Sequence, residues 1–226
     1  MPGRFGRVRC DQFNAQHMTA YPLSRNILGP LLKRRLVRVQ GLGNLPHSGP
    51  FLVVANHIGY QDPILMATAL VLHTHRKIHA IAKWKIFRIP LFKKWTGIIL
   101  LSKDRSKTFD AATHAIDQGG IVMIYPEGTH NFSDTIRKTK TGDARIAIST
   151  GCVVIPTGIR RVAPPPKNIF CKYAEIFTGR MEVFFGEPLQ FKKQKPEDIT
   201  REYIHDIHNQ IMIQVATLAK KDYVSL

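Results

Sequence analysis

The order of apolar and polar residues predicts most of the elements. Val37 and Val39 alternate with polar neighbours and read as a short strand. Gly41 to Pro50, with three Gly and two Pro, reads as a loop. Phe51-Leu52-Val53-Val54-Ala55 is continuously apolar, as a strand covered on both faces is, and it ends at Asn56-His57. Asp62-Pro63 predicts a helix start, with Asp62 as N-cap and Pro63 at the first helical position. That helix runs to about His73 and contains the longest apolar stretch, Ile64 to Leu72, interrupted by Thr68. Further strands are predicted at Ile78 to Ala82, Ile98 to Leu101, Ile121 to Tyr125, Cys152 to Pro156 and Met181 to Phe185. Helices are predicted at Lys107 to Gln118, closed by Gly119-Gly120, and at Gly142 to Thr150. A last helix, from Pro196 to about Lys220, carries Ile204, Ile207, Ile211, Val215 and Leu218 at helical spacing.

Strands alternating with helices predict an α/β fold with a mostly parallel central sheet flanked by helices. Ligands of such sheets sit beyond the carboxyl ends of the strands. Two polar clusters fall there, Asn56-His57 and Glu127-Gly128-Thr129. Residues 1–35 form a basic segment with apolar residues interspersed (Phe5, Phe13, Ile27, Leu28, Leu31 and Leu32), expected to associate with membranes. Residues 36–226 are expected to form one domain.

Charge sharpens this picture. Thirty-three Lys and Arg against sixteen Asp and Glu give +17 over 226 residues. Residues 1–40 carry net +7 and residues 76–107 net +9, whereas Lys192 to Leu226 carry net +1. Such an excess calls for an anionic partner, whether nucleic acid, anionic lipid or a phosphate-bearing substrate. No recognition-helix, zinc or RNA-binding signature accompanies it. In residues 83–95, Trp84, Ile86, Phe87, Ile89, Leu91, Phe92 and Trp95 are interleaved with Lys83, Lys85, Arg88, Lys93 and Lys94, a pattern for one-sided contact with an anionic membrane. No apolar run reaches the length of a membrane span. Met1-Pro2-Gly3-Arg4-Phe5 has no apolar run after its charge, so no secretory signal is expected there. Cys10, Cys152 and Cys171 have no metal-binding spacing and suit a reducing compartment.

His57 and Asp62 form an H-x4-D pair. On a continuous helix, residues five apart point away from each other. Here His57 lies in a strand-end loop, and Gly59 can take unusual backbone angles and let Asp62 fold back. A carboxylate on one ring nitrogen makes the other a general base. Tyr125-Pro126-Glu127-Gly128-Thr129 is a strand-end loop whose backbone N–H groups suit an oxyanion or phosphate. Arg105, in the Lys103-Asp104-Arg105 segment that follows the predicted strand of Ile98 to Leu101, suits a phosphate through charge-assisted hydrogen bonds.

The order of these blocks, Asn56-His57-x4-Asp62, Gly97 to Arg105, Tyr125 to Thr129, then Val153-Val154-Ile155-Pro156, resembles the four blocks of the glycerolipid acyltransferase superfamily. Its typical member is the bacterial 1-acyl-glycerol-3-phosphate acyltransferase. Ala82 to Phe92, and Lys140-x-Gly142-x-Ala144-Arg145, are similar to that family's intervening segments. The resemblance covers about Val37 to Gly186.

The resemblance implies transfer of a fatty acyl group from an acyl-CoA or acyl-carrier-protein thioester to a glycerolipid hydroxyl. The expected product is phosphatidate from lysophosphatidate. Other acceptors of the same class are another lysophospholipid, glycerol 3-phosphate or a lyso-aminolipid. A basic nucleic-acid-binding protein is the alternative from a different class. The resemblance makes His57 the general base and Asp62 its orienting carboxylate, with no acyl-enzyme. It assigns Arg105, Glu127, Gly128, Thr129, His130 and Lys140 to substrate binding. It implies no metal and no cofactor beyond the thioester co-substrate. It also implies a peripheral or monotopic location on the cytoplasmic face of a membrane. The sequence departs from the family at His130, where Arg is usual, and an imidazole is a weaker phosphate clamp than a guanidinium. Arg137, Lys138 and Lys140 are the candidates to supply the missing charge.

Overall fold

The computed structural model describes residues 24–83, 97–162, 164, 170, 174–175 and 178–225. Most of the basic-aromatic run predicted to touch membranes, and residues 1–23 of the N-terminal segment, lie outside the described residues. The elements are α1 (Gly29–Lys33), β1 (Leu36–Gln40), β2 (Phe51–Ala55), α2 (Asp62–Thr74), β3 (Ile78–Ala82) and β4 (Ile99–Leu100). There follow α3 (Arg105–Asp117), β5 (Ile121–Ile124), β6 (Thr135–Ile136), α4 (Gly142–Thr150) and β7 (Val153–Arg161). β8 (Met181–Phe185), α5 (Arg201–Ala219) and β9 (Asp222–Tyr223) close the order.

Seven strands form the main sheet in the order β1-β8-β7-β2-β5-β3-β4. β7, β2, β5, β3 and β4 are mutually parallel, and β8 reverses the direction by pairing antiparallel with β7. This is the α/β fold the alternation predicted. β2 is central and buried along its whole length. Its side chains alternate between faces, as strand geometry requires. Leu52 and Val54 pack with residues of α3, α4 and α5. Phe51, Val53 and Ala55 pack with Leu65, Met66, Ala69 and Leu70 of α2. Burying a Leu or Phe side chain stabilises by about 1.5–3 kcal/mol, so these two layers hold the strand ends in place.

Several predicted elements differ in extent, and β4 keeps only Ile99–Leu100 of the strand predicted at Ile98 to Leu101. β7 does not stop at Pro156 but runs to Arg161. Pro156 is tolerated because the side that lacks an N–H faces the position just past the end of β8, where its carbonyl accepts from Gly186 N at 2.8 Å. The last helix is preceded by a separate short turn at Pro196–Asp198, and α5 starts after Thr200, whose hydroxyl accepts from Tyr203 N. α3 starts at Arg105 because Asp104 caps it, accepting from Ser106 N. A small parallel ribbon of β6 with β9 has no sequence signal and was not anticipated. No helix among the described residues is long and apolar enough to cross a membrane.

Candidate active site

Parallel pairing builds the site. β2 and β5 align with Val54 opposite Ile124, so the residues three beyond each, His57 and Glu127, meet past the sheet edge. His57 N donates to Glu127 Oε1 at 2.9 Å, and Asn131 N donates to His57 O at 2.8 Å. Both backbone groups of His57 are therefore held. Beside it, Asn56 grips β7 beyond the end of β2, with Ile159 N donating to Oδ1 at 2.7 Å and Nδ2 donating to Ile159 O at 3.0 Å.

The His57–Asp62 contact forms, with Nδ1 and Oδ2 2.8 Å apart. The same oxygen accepts from Ile58 N at 2.6 Å and Gly59 N at 2.9 Å. Asp62 thus gathers the loop around one oxygen and is no N-cap: it is the first residue of α2, and Gln61 precedes it without a capping bond. Gly59 serves by its size and not by its angles. A Cβ there would lie 2.3 Å from Gln61 Oε1 and 2.8 Å from Glu175 Oε2, and its φ is not positive. Arg161, at the end of β7, donates from Nη1 to Ile58 O at 2.8 Å and pairs with the Glu175 carboxylate.

A carboxylate only accepts, so Nδ1 of His57 donates to Asp62, and in the neutral imidazole Nε2 is left with the lone pair. Asp62 is fully buried and the His57 side chain is 11% exposed. The Tyr125 ring stacks on the imidazole at 4.5 Å between centroids. The His130 ring meets it edge-on at 4.3 Å and meets Tyr60 at 4.1 Å.

His57 lies on the wall of a cleft of about 910 Å³. Lys83, Arg105, Lys140 and Arg145 line it with cations, and Ile81, Phe109, Ile124, Ile146 and Ile204 line it with apolar surface. Burial, then the nearby charges of Arg105 and Lys83, hold the Lys140 ammonium below its usual pKa. Among the described residues that line the cleft there is no Asp or Glu, so Lys83, Arg105 and Lys140 form an anion-binding arrangement.

Of the predicted substrate-binding residues, Arg105, Gly128, Thr129, His130 and Lys140 line the cleft. Glu127 comes to the site but does not line the cleft. Its second oxygen accepts from Asn131 Nδ2 at 2.7 Å, so both oxygens point inward. Burial raises its pKa against the lowering effect of those hydrogen bonds and of the Lys221 charge. Gly128 N donates to Tyr125 O at 3.0 Å within the turn, so this N–H of the loop is already engaged. Arg137 and Lys138 are exposed and do not line the cleft. Its cations beyond the predicted ones are Lys83 and Arg145.

Sequence reasoning missed Asn131, Arg161 and Lys221 as supports of the loop. Arg161 meets Ile58 from 103 residues away and Lys221 meets Asn131 from 90, so no local pattern reveals them. It also missed a second His–Asp pair, with His208 Nδ1 2.7 Å from Asp143 Oδ1 and Nε2 2.7 Å from Thr139 Oγ1.

A family model described as Acyltransferase matches residues 36–160, more than half of the chain. The 1-acyl-sn-glycerol-3-phosphate acyltransferase alpha of Ovis aries is 28% identical over 174 residues, covering 72% of this chain and 57% of that protein. The 1-acyl-sn-glycerol-3-phosphate acyltransferase of Borreliella burgdorferi is 24% identical over 174 residues, covering 72% of this chain and 66% of that protein. The chain thus spans about six tenths of the curated relatives it matches. The crystal structure of the 1-acyl-sn-glycerophosphate (LPA) acyltransferase PlsC from Thermotoga maritima superposes with a TM-score of 0.60 at 20% identity, covering 88% of this chain and 80% of that one. The shared architecture, the matched span and the His–Asp pair at the end of β2 lead to one conclusion: the chain belongs to the acyltransferase family.

Proposed function

We propose that the protein acylates lysophosphatidate to phosphatidate, using an acyl-CoA or acyl-carrier-protein thioester. The observation that carries this reading is a His57 imidazole, held at Nδ1 by buried Asp62, in a cleft with both cationic and apolar walls. His57 Nε2 takes the proton of the acceptor hydroxyl as its oxygen attacks the thioester carbonyl. The tetrahedral adduct collapses, the C–S bond breaks, and the thiolate leaves with the proton from His57. No acyl-enzyme forms. Cys152 is buried, and burial raises its thiol pKa, which keeps it in the unreactive form. Lys83, Arg105, Lys140 and Arg145 neutralise the phosphates of the two substrates, and the apolar wall takes acyl chain. The names of the relatives, 1-acyl-sn-glycerol-3-phosphate acyltransferases, support lysophosphatidate as acceptor.

His130 keeps other acceptors of the same class open. It touches both His57 and Tyr60, where a headgroup beside the base would lie. The test measures lipid products from a panel of lysophosphatidate, zwitterionic lysophospholipids, glycerol 3-phosphate and a lyso-aminolipid with both thioester donors, for wild type and His130→Arg. Phosphatidate as the main product supports the reading, and no acyl transfer to any acceptor overturns it. The nucleic-acid reading rests on net charge alone, and no feature of the cleft favours it.

The site is proposed to work on the cytoplasmic face of an anionic membrane. Ile27, Leu31 and Val37 are 59%, 63% and 43% exposed, beside Arg25, Lys33, Arg34 and Arg38. Leu32, read earlier as a membrane contact, instead packs against the core. Flotation with anionic vesicles, weakened by salt and absent with neutral vesicles, is the expected result.

A further inference from the structure

His57 is held by its backbone as well as by its ring, and the backbone grip leads away from the cleft. Glu127 Oε1 accepts from His57 N, and Asn131 N donates to His57 O. Asn131 Nδ2 joins the two by donating to Glu127 Oε2, and it also donates to Thr135 O at 2.8 Å. The Asn131 carbonyl, in turn, accepts from Lys221 Nζ at 3.1 Å, and the same ammonium donates to Ser133 O at 2.6 Å. Lys221 follows α5 and leads directly into β9. There Asp222 N donates to Asp134 O at 2.8 Å and Val224 N to Ile136 O at 3.2 Å. Tyr223 Oη reaches Asn209 Oδ1 on α5 at 2.7 Å. The ribbon thus fixes the backbone from which Lys221 reaches.

Lys221 does not line the cleft, so it is not placed to touch substrate. Its ammonium is half-buried, and burial lowers its pKa against the attraction of Glu127, Asp134 and Asp62. A half-buried cation that fixes two carbonyls beside a buried carboxylate serves geometry and charge together.

We propose that Lys221 is a positioning residue for acyl transfer: held by the β6–β9 ribbon, it fixes the Asn131–Glu127 pair that grips the backbone of His57. This rests on His57 being the base. Without Lys221, Glu127 and Asn131 lose an anchor, His57 Nε2 drifts from the acceptor hydroxyl, and the cationic wall is untouched. Small displacements at a reacting centre are costly, up to ~10²-fold for about 1 Å.

The test compares Lys221→Met, Lys221→Arg and His57→Ala with wild type, using an acyl-CoA and lysophosphatidate, with melting curves to measure the folded fraction. The expected result is a kcat lowered ~10-fold in Lys221→Met, with both KM values within about twofold of wild type. Lys221→Arg, which keeps the charge and the donors, recovers most of the loss. The proposal is overturned if kcat of Lys221→Met is unchanged while His57→Ala is inactive. It is also overturned if only KM rises, or if the kcat loss matches the unfolded fraction. An active His57→Ala removes the general-base reading itself, whatever Lys221 does.

Discussion

Among the described residues, two His–Asp pairs have almost the same geometry. His57 and Asp62 are 2.8 Å apart, and His208 and Asp143 are 2.7 Å apart. They differ in what the second imidazole nitrogen meets. In the first pair the ring lies on the cleft wall and keeps some exposure. In the second, both side chains are fully buried and Nε2 meets Thr139. A His–Asp contact is therefore no sign of catalysis by itself, because a general base needs a nitrogen that substrate can reach. The buried pair joins α5 to the start of α4, next to Lys140, and its work is to hold the scaffold.

Among substitutions that leave both imidazoles in place, the largest effect expected is at the carboxylates. Asp62→Asn leaves an amide that can donate to Nδ1 and stabilise the wrong tautomer, and it weakens the grip on Ile58 N and Gly59 N. Steady-state kinetics should show kcat down by ~10–10²-fold. Asp143→Asn should leave kcat per folded molecule within about twofold, since the cleft is untouched.

Next comes the cationic wall. Arg105→Ala should raise KM for lysophosphatidate by ~10–10²-fold with a smaller change in kcat, because a charge-assisted contact contributes about 1.5–3 kcal/mol. Equal KM values would remove Arg105 from acceptor binding.

The second pair should answer in stability. His208→Ala leaves Asp143 and Thr139 buried without their shared partner, at a cost of about 3–5 kcal/mol. Thermal melting should fall by roughly 6–20 °C for a domain of this size. His57→Ala, at the cleft surface, should move the melting point far less.

The smallest effect is a pH slope. Burial raises the Glu127 pKa above its ordinary 4.5. Between that value and the raised one, the folded state binds a proton that the unfolded state has released. Stability is thus present below the unfolded pKa and is lost as pH rises through the folded pKa. Glu127→Gln does not titrate, so its melting point relative to wild type should climb as pH goes from about 4 to 7. A constant difference would contradict the buried titration.

The same contrast explains what the sequence made legible. His57 and Asp62 are five residues apart, in a loop bounded by an apolar strand and Asp62-Pro63, so their meeting was readable from local spacing. The alternation of strands and helices likewise announced the parallel sheet, and with it the strand ends where His57 and Glu127 meet. His208 and Asp143 are 65 residues apart on two helices, and only packing brings them together. The roles of Asn131, Arg161 and Lys221 depend on loop closure and on the β6–β9 ribbon, whose two-residue strands carry no periodic pattern. Glu127 was legible as a site residue but not in its orientation, because which way a strand-end carboxylate turns is set by the N–H groups around it. Pro156 concealed the length of β7, since the tolerance for a missing donor depends on where β8 ends.

The central claim is that His57, and not His208, is the base. The most direct measurement is acyl transfer from an acyl-CoA to lysophosphatidate by His57→Ala and His208→Ala, each expressed per folded molecule. His57→Ala should lose at least ~10²-fold, and His208→Ala should stay within about threefold of wild type. Near wild-type turnover in folded His57→Ala, or equal losses in both variants, would contradict it.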